Sequence, residues 1–432
     1  MSSANADLPL TENSTVAALV ITNNIPPSPP SLQKQEFCVK SDQCEGKGKK
    51  RKKKRALSLV DQIISVAIIG PMVIGCWRGG WVLMDAYPEI FPEWPSFALG
   101  TGLHTIFAIF KELFHENCAA VSKKSVLLGR ALQVLYIYVF GVSCMGQWRG
   151  GWILLDARLI KAAPWAVGLF TCTLVSILMF LRSIRNLVAP PFVICIDNIN
   201  HVYMFPTRYK KNTRDWSLYI LDCAFSVGVI GTLVVFVWRG VWILVDLYVL
   251  PEDRETSAVS SLVIGYVIVG VTFCLQPLMR YVCATLEGLP RLIAADAFLL
   301  LSFLGTVNVW RGIWNVLDLW LLPENPKLSC WITHVGCFAF LVLLNCSNSI
   351  LVRGVYIDAE EDKGKCVVFP CHYLRLFFKV EREKKEARRR NLLLASRDFT
   401  GLADLKDAEN GVLLANSTNP NTVIPANPES LV

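Results

Sequence analysis

Eight apolar stretches, separated by polar connections, run through the chain near residues 57–86, 97–114, 127–157, 165–187, 217–250, 258–279, 292–322 and 331–352. Each approaches or exceeds the roughly 20 residues with which an α-helix crosses the hydrocarbon of a bilayer. The first, third, fifth and seventh are long enough to tilt or to project beyond it. The pattern predicts an all-α membrane protein of eight transmembrane helices. The short apolar run at 16–22 has no basic region before it and four prolines soon after it. No cleavable signal is therefore expected, and the first span would serve as its own anchor.

Charge gives the orientation. Only 18% of residues are charged, against about 25% in a soluble domain, and they crowd into the tails and a few connections. Lys49, Lys50, Arg51, Lys52, Lys53, Lys54 and Arg55 abut the first span, and Lys123, Lys124, Arg208, Lys210, Lys211 and Arg214 lie in alternate connections. The connections at 87–95 and 251–255 hold no basic excess, while Arg158 and Lys161 run against the trend. The positive-inside rule puts both termini in the cytoplasm, which needs an even number of spans. The net charge of +8 then points to anionic inner-leaflet lipids, not to nucleic acid, at about 1 kcal/mol per basic residue near the surface. A second basic stretch at 379–390 reads the same way, and either could also dock cytoplasmic partners. The sequons at Asn13 and Asn416 would stay unglycosylated on that side.

A motif, W-R-G-x-W-x-x-x-D, closes each odd-numbered span. It occurs as Trp77, Arg78, Trp81 and Asp85, then as Trp148, Arg149, Trp152 and Asp156. It recurs as Trp238, Arg239, Trp242 and Asp246, and finally as Trp310, Arg311, Trp314 and Asp318. The first tryptophans are 71, 90 and 72 positions apart, which indicates duplication at two levels. The chain divides into a disordered tail with its basic cluster (1–55), a four-span repeat (56–198), a basic cytoplasmic loop (199–215), a second four-span repeat (216–359) and a cytoplasmic tail, basic and then disordered (360–432). Asp61 and Asp222 each precede their Trp by sixteen residues, and NLVAPPFVICID at 186–197 matches NSILVRGVYID at 348–358. With four spans in each half, the halves are parallel repeats about an axis along the membrane normal, each made of two hairpins.

Within the motif, Arg and Asp are two turns apart on one helical face, and the second Trp is within stacking reach of the Arg. The Gly admits a close neighbour. An ionised residue at mid-membrane costs about 2.5 to 3.5 kcal/mol, so eight unpaired ones would exceed a stability of roughly 5 to 15 kcal/mol. Two readings follow. The charges pair and staple helices together, with interfacial Trp as anchors, or four Arg line an outward vestibule that attracts anions or lipid phosphates. Whether each Arg pairs with its own Asp or a neighbour's stays open.

Asp61, Asp222 and Asp296 read as caps or hydrated span ends. His104 and the Lys111–Glu112 pair fall in the second span, the pair solvated at its inner end, and Gln276-Pro277 marks a kink or a span end. Most of the fifteen cysteines sit in apolar runs as small hydrophobes. Neither Cys38/Cys44 nor Cys366/Cys371 has zinc half-site spacing, so neither metal nor cofactor is expected. Cys366 and Cys371 are candidates for palmitoylation. No HExxH, GxSxG or Walker pattern suggests catalysis.

The four motif helices, the eight-span plan and the cytoplasmic tails resemble the Fuseless family of invertebrate multi-pass membrane proteins, over about residues 56–360. The resemblance implies a plasma-membrane protein of presynaptic terminals that supports neurotransmission and organises calcium channels, with those channels or scaffold proteins as partners. The repeat by itself suggests an alternative: a transporter or channel for a small anion or a lipid head group.

Overall fold

The computed structural model describes residues 58–394, apart from 160, 372, 375, 376 and 380. The basic cluster at 49–55, both sequons, Cys38 and Cys44 lie outside the described residues. Among the described residues, nine helices carry the fold: α1 (Ser58–Asp85), α2 (Glu93–Ile109), α3 (Lys111–Lys124), α4 (Val126–Leu159), α5 (Pro164–Phe180), α6 (Trp216–Tyr248), α7 (Arg254–Thr285), α8 (Gly288–Trp320) and α9 (Pro326–Leu343). Six of them, α1, α4, α6, α7, α8 and α9, are long and apolar enough to cross a membrane. The shorter α5 is apolar throughout, and α2 and α3 form a seventh apolar unit bent by 66°.

That bend corrects the expectation of an uninterrupted second span followed by a loop. Apolar sequence runs through Phe110, but the helix breaks there, and the Tyr219 hydroxyl donates to the carbonyls of Ala108 and Ile109 at 3.0 and 3.1 Å. Lys111 is not left to solvent, since its Nζ donates to the Phe205 carbonyl at 2.9 Å. Pro277 likewise ends nothing: α7 runs through it to Thr285, and Gln276 Nε2 donates to the Val367 carbonyl.

The four motif-bearing helices α1, α4, α6 and α8 make the inner layer. An outer helix backs each of them: α2, with α3, packs on α4, α5 on α6 and α7 on α8, while α9 returns to cover α1. The expected hairpins, each odd span packed on the even span after it, are therefore not the packing units. The motif glycines explain the choice of partner. A Cβ at Gly79 would lie 2.5 Å from the Cys330 carbonyl oxygen of α9, and one at Gly150 would lie 2.6 Å from the Phe97 nitrogen of α2. Gly240 meets Thr171 of α5, and Gly312 would bring a Cβ within 2.7 Å of Leu262 backbone in α7. Glycine alone admits that approach.

At the end opposite the motif, the chain folds back into the bundle twice. After α5 and α9 come 3₁₀ turns at Ile184–Leu187 and Ser347–Ile350, each followed by an extended segment ending in a buried aspartate. Asp197 accepts from Ser347 N, Ser347 Oγ and Asn348 N, and Asp358 accepts from Ile184 N and Arg185 N. Each half thus satisfies the orphan N–H groups of the other half's turn. Asp222 is buried and accepts from Thr207 Oγ1, Tyr209 N and Lys211 N. Asp61, also buried, accepts from Leu374 N, and Asp296 is buried too. These are not hydrated span ends. The packed unit continues past residue 359, with Cys366, Val367, Phe369, Cys371 and Tyr373 all in the core. Burial of both thiols removes them from any acylating enzyme.

Candidate functional site

The motif tryptophans close into two stacked rings. Trp77, Trp148, Trp238 and Trp310 contact one another edge to face around the first, with centroids 5.7, 5.6, 5.6 and 5.9 Å apart. One turn further on, Trp81, Trp152, Trp242 and Trp314 repeat the arrangement at 5.4, 5.4, 6.1 and 5.7 Å. Each such contact adds about 0.5–1.5 kcal/mol beyond its buried area, so the eight together form a substantial plug on the axis.

Around the plug runs a cyclic set of ion pairs. Arg149 Nε donates to Asp85 at 2.6 Å, Arg239 to Asp156, Arg311 to Asp246 at 2.6 Å, and Arg78 to Asp318 at 2.8 Å. Every Arg therefore takes the Asp of the preceding copy, and the first copy takes the last. Pairing is between helices and never within one. The rest of each guanidinium fork engages a different neighbour: Arg78 donates to Ser329 Oγ and Arg149 to the Phe91 carbonyl. Arg311 donates to the hydroxyls of Ser257 and Ser261, while Arg239 stacks over Trp152 at 4.9 Å. The planar five-donor fork suits this double duty as a lysine ammonium would not. Each of the four guanidinium groups has its own separate set of partners.

Beyond the first Trp ring, away from the aspartates, lies a central cavity of about 420 Å³. Val73, Ile230 and Val234 of the inner helices wall it, with the returning segments after α5 and α9, and it extends to Lys379 and Glu383, whose side chains are exposed. Three indole N–H groups of the first ring donate to those segments: Trp77 to the Ile350 carbonyl, Trp238 to Leu187 and Trp310 to Pro190, at 2.9, 3.1 and 2.8 Å. The cavity wall beside Trp148 is different. His104 and Gln147 are joined there, His104 Nδ1 to Gln147 Oε1 at 2.8 Å, and Gln147 Nε2 donates to the Val227 carbonyl at 3.1 Å.

All sixteen motif side chains thus converge on one structure. The basic cluster at 49–55, expected to face lipid, falls outside the described residues. From residue type and spacing His104 has no role, and Gln147, Asp197 and Asp358 do not stand out. The repeated Ile-Asp at the ends of the two matched segments is the one signal that could have exposed the aspartates. Among the described residues, no group of His, Cys, Asp and Glu is placed to hold a metal ion.

No curated relative and no solved structure matches the chain. The family model described as Fuseless matches residues 56–351, the stretch that holds every motif copy and the whole inner layer. The chain belongs to the Fuseless family.

Proposed function

We propose that this is an eight-span, non-enzymatic plasma-membrane protein of presynaptic terminals, supporting neurotransmission by organising calcium channels or their scaffold proteins. In this reading α2 with α3, and α5, complete the eight spans. The two halves are parallel repeats, the motif end faces outward, and both termini are cytoplasmic, with the basic clusters against anionic inner-leaflet lipid. Family membership carries the synaptic part. The scaffold part is supported by the cyclic ion pairs, in which the motif charges are spent on one another. The motif then builds the body, and partners meet the loops and tails. The test is rescue of a null animal by the full chain, reading calcium-channel placement at release sites and evoked release. Normal channel placement in the null would overturn the proposal.

A transporter or channel is the second reading, favoured by the central cavity on the repeat axis. Liposomes holding the purified chain that move neither small anions nor lipid would count against it.

A further inference from the structure

The wall of the central cavity carries one positive charge in excess. Arg185, Arg353 and Lys379 line it, with two carboxylates, Glu361 and Glu383. Arg185 pairs with Glu361 at 3.4 Å and Lys379 with Glu383 at 3.8 Å. Arg353 has no carboxylate within ion-pair distance among the described residues. Its Nη1 donates to the Val202 carbonyl and its guanidinium faces the Cys195 thiol, both uncharged groups. Its other nitrogens are not sealed into the fold without a partner. The half-buried guanidinium cannot shed its proton, and a cation drawn from water without a counter-ion is costly. Nor does the repeat call for a charge at this place. Five residues before the matched aspartates, Asp197 and Asp358, the first half has Phe192 and the second has Arg353. Phe192 is buried against Phe273 and Phe369, so an apolar side chain serves one half where the other turns a cation to the cavity.

We infer that the cavity binds a single-chain amphiphile with a singly charged anionic head group, a medium-chain carboxylate, with its head on Arg353 and its chain against the first Trp ring. The guanidinium fork suits a carboxylate, and one anion balances the wall. The far end is apolar, closed by the four indoles and by Val73, Ile230 and Val234. Trp77 holds the Ile350 carbonyl, three residues before Arg353, so the two ends of the site are at most about 10 Å apart along that segment. The volume of about 420 Å³ lies toward the small end of the roughly 300–1,000 Å³ usual for small-molecule sites, which suits one short chain. The opening passes the exposed Lys379 and Glu383, so entry is from water and not sideways from lipid. The site requires neither transport nor a protein partner, and it stands apart from both functional readings above.

The test uses the purified full chain in neutral-detergent micelles at alkaline pH, with 8-bromooctanoic acid as probe. Its bromine, at the chain end, quenches tryptophan on contact. The controls are 8-bromooctan-1-ol and (8-bromooctyl)trimethylammonium, which keep the chain and change the head. Lipid-facing tryptophans give quenching that rises linearly with any of the three. The expected result is an added saturable component for the acid, at about tenfold lower concentration than for the alcohol, and none for the ammonium. Arg353→Gln should bring the acid to the level of the alcohol, and Arg353→Lys should keep most of the preference. Gly231→Leu, at a cavity position where an added Cβ meets only ordinary contacts, should abolish saturation while the chain stays monodisperse. Unlabelled octanoate should relieve the quenching, and relief by micelle-bound oleate alone would overturn entry from water. Linear quenching by all three probes would overturn the inference, as would a preference for the acid that Arg353→Gln leaves unchanged. If Arg353→Gln does not fold, the three head groups compared on the native chain and on Gly231→Leu decide.

Discussion

Replacing Asp318 by Ala should damage the bundle more than replacing Arg78, its partner, and removing both should recover part of the loss. Arg78 is the buried member of the pair, with its side chain 2% exposed against 31% for Asp318. Without the carboxylate, the guanidinium cannot deprotonate and keeps only Ser329 Oγ. An uncompensated buried charge costs about 3–5 kcal/mol. In Arg78→Met the charge left behind is the one that already reaches solvent, so the loss is about 1–2 kcal/mol from the broken hydrogen bonds. The double variant should resemble Arg78→Met, giving a coupling of about 3–5 kcal/mol, the whole cost of Asp318→Ala. The assay is the fraction of purified full chain that stays monodisperse in micelles along a heat ramp. Because such unfolding is irreversible, midpoints are compared at one ramp rate. An Asp318→Ala chain that melts with the native one would refute the reasoning. So would a double variant that melts below Asp318→Ala.

Gly312→Ala would press a Cβ to 2.7 Å from Leu262 backbone and should cost about 1–3 kcal/mol in the same melt, whereas Gly168→Ala in α5 meets nothing within 4 Å and should gain up to about 1 kcal/mol. Trp238→Phe strips the Leu187 carbonyl of its donor, and hydrogen exchange through 184–190 should quicken while the 347–350 turn is spared. Asp358 lies beyond the last span, and burial pushes its carboxyl up to about 6. A raised value means the fold holds the proton more tightly than the unfolded chain does. Its contribution to stability is full below the unfolded value of about 3.9 and is lost as pH rises through 6. The midpoint difference between the native chain and Asp358→Ala should therefore shrink from pH 4 to pH 7, and a difference that widens would contradict the assignment.

Much of this architecture was legible because membrane spans obey a strong local rule. Hydropathy placed the seventh apolar stretch at 292–322, and α8 runs over Gly288–Trp320. The Arg, Gly and Asp of the motif were recognisable as helix-packing chemistry from spacing alone. Their cyclic order was not legible, since a linear repeat does not say which neighbour a charge faces. The break at Phe110 was hidden because apolar composition continues across it, and its cause, the Tyr219 hydroxyl, lies 110 residues away. Asp197 and Asp358 escaped notice because their partners are backbone groups of the opposite half, which leave no trace in residue type. The short run from Cys366 to Cys371 looked like the start of a basic tail, yet its apolar side chains complete the core at that end.

The cyclic pairing also sets an order on biogenesis. Once α1 and α4 are made, Arg149 and Asp85 can pair, but Arg78 and Asp156 await partners on α8 and α6. A half-made chain therefore carries one unmatched cation and one unmatched anion in or near the membrane, a costly state that ends only when Asp318, in the last copy, arrives. A chain that ends before that point keeps Arg78 without its carboxylate, so the ring of pairs closes only with the final copy.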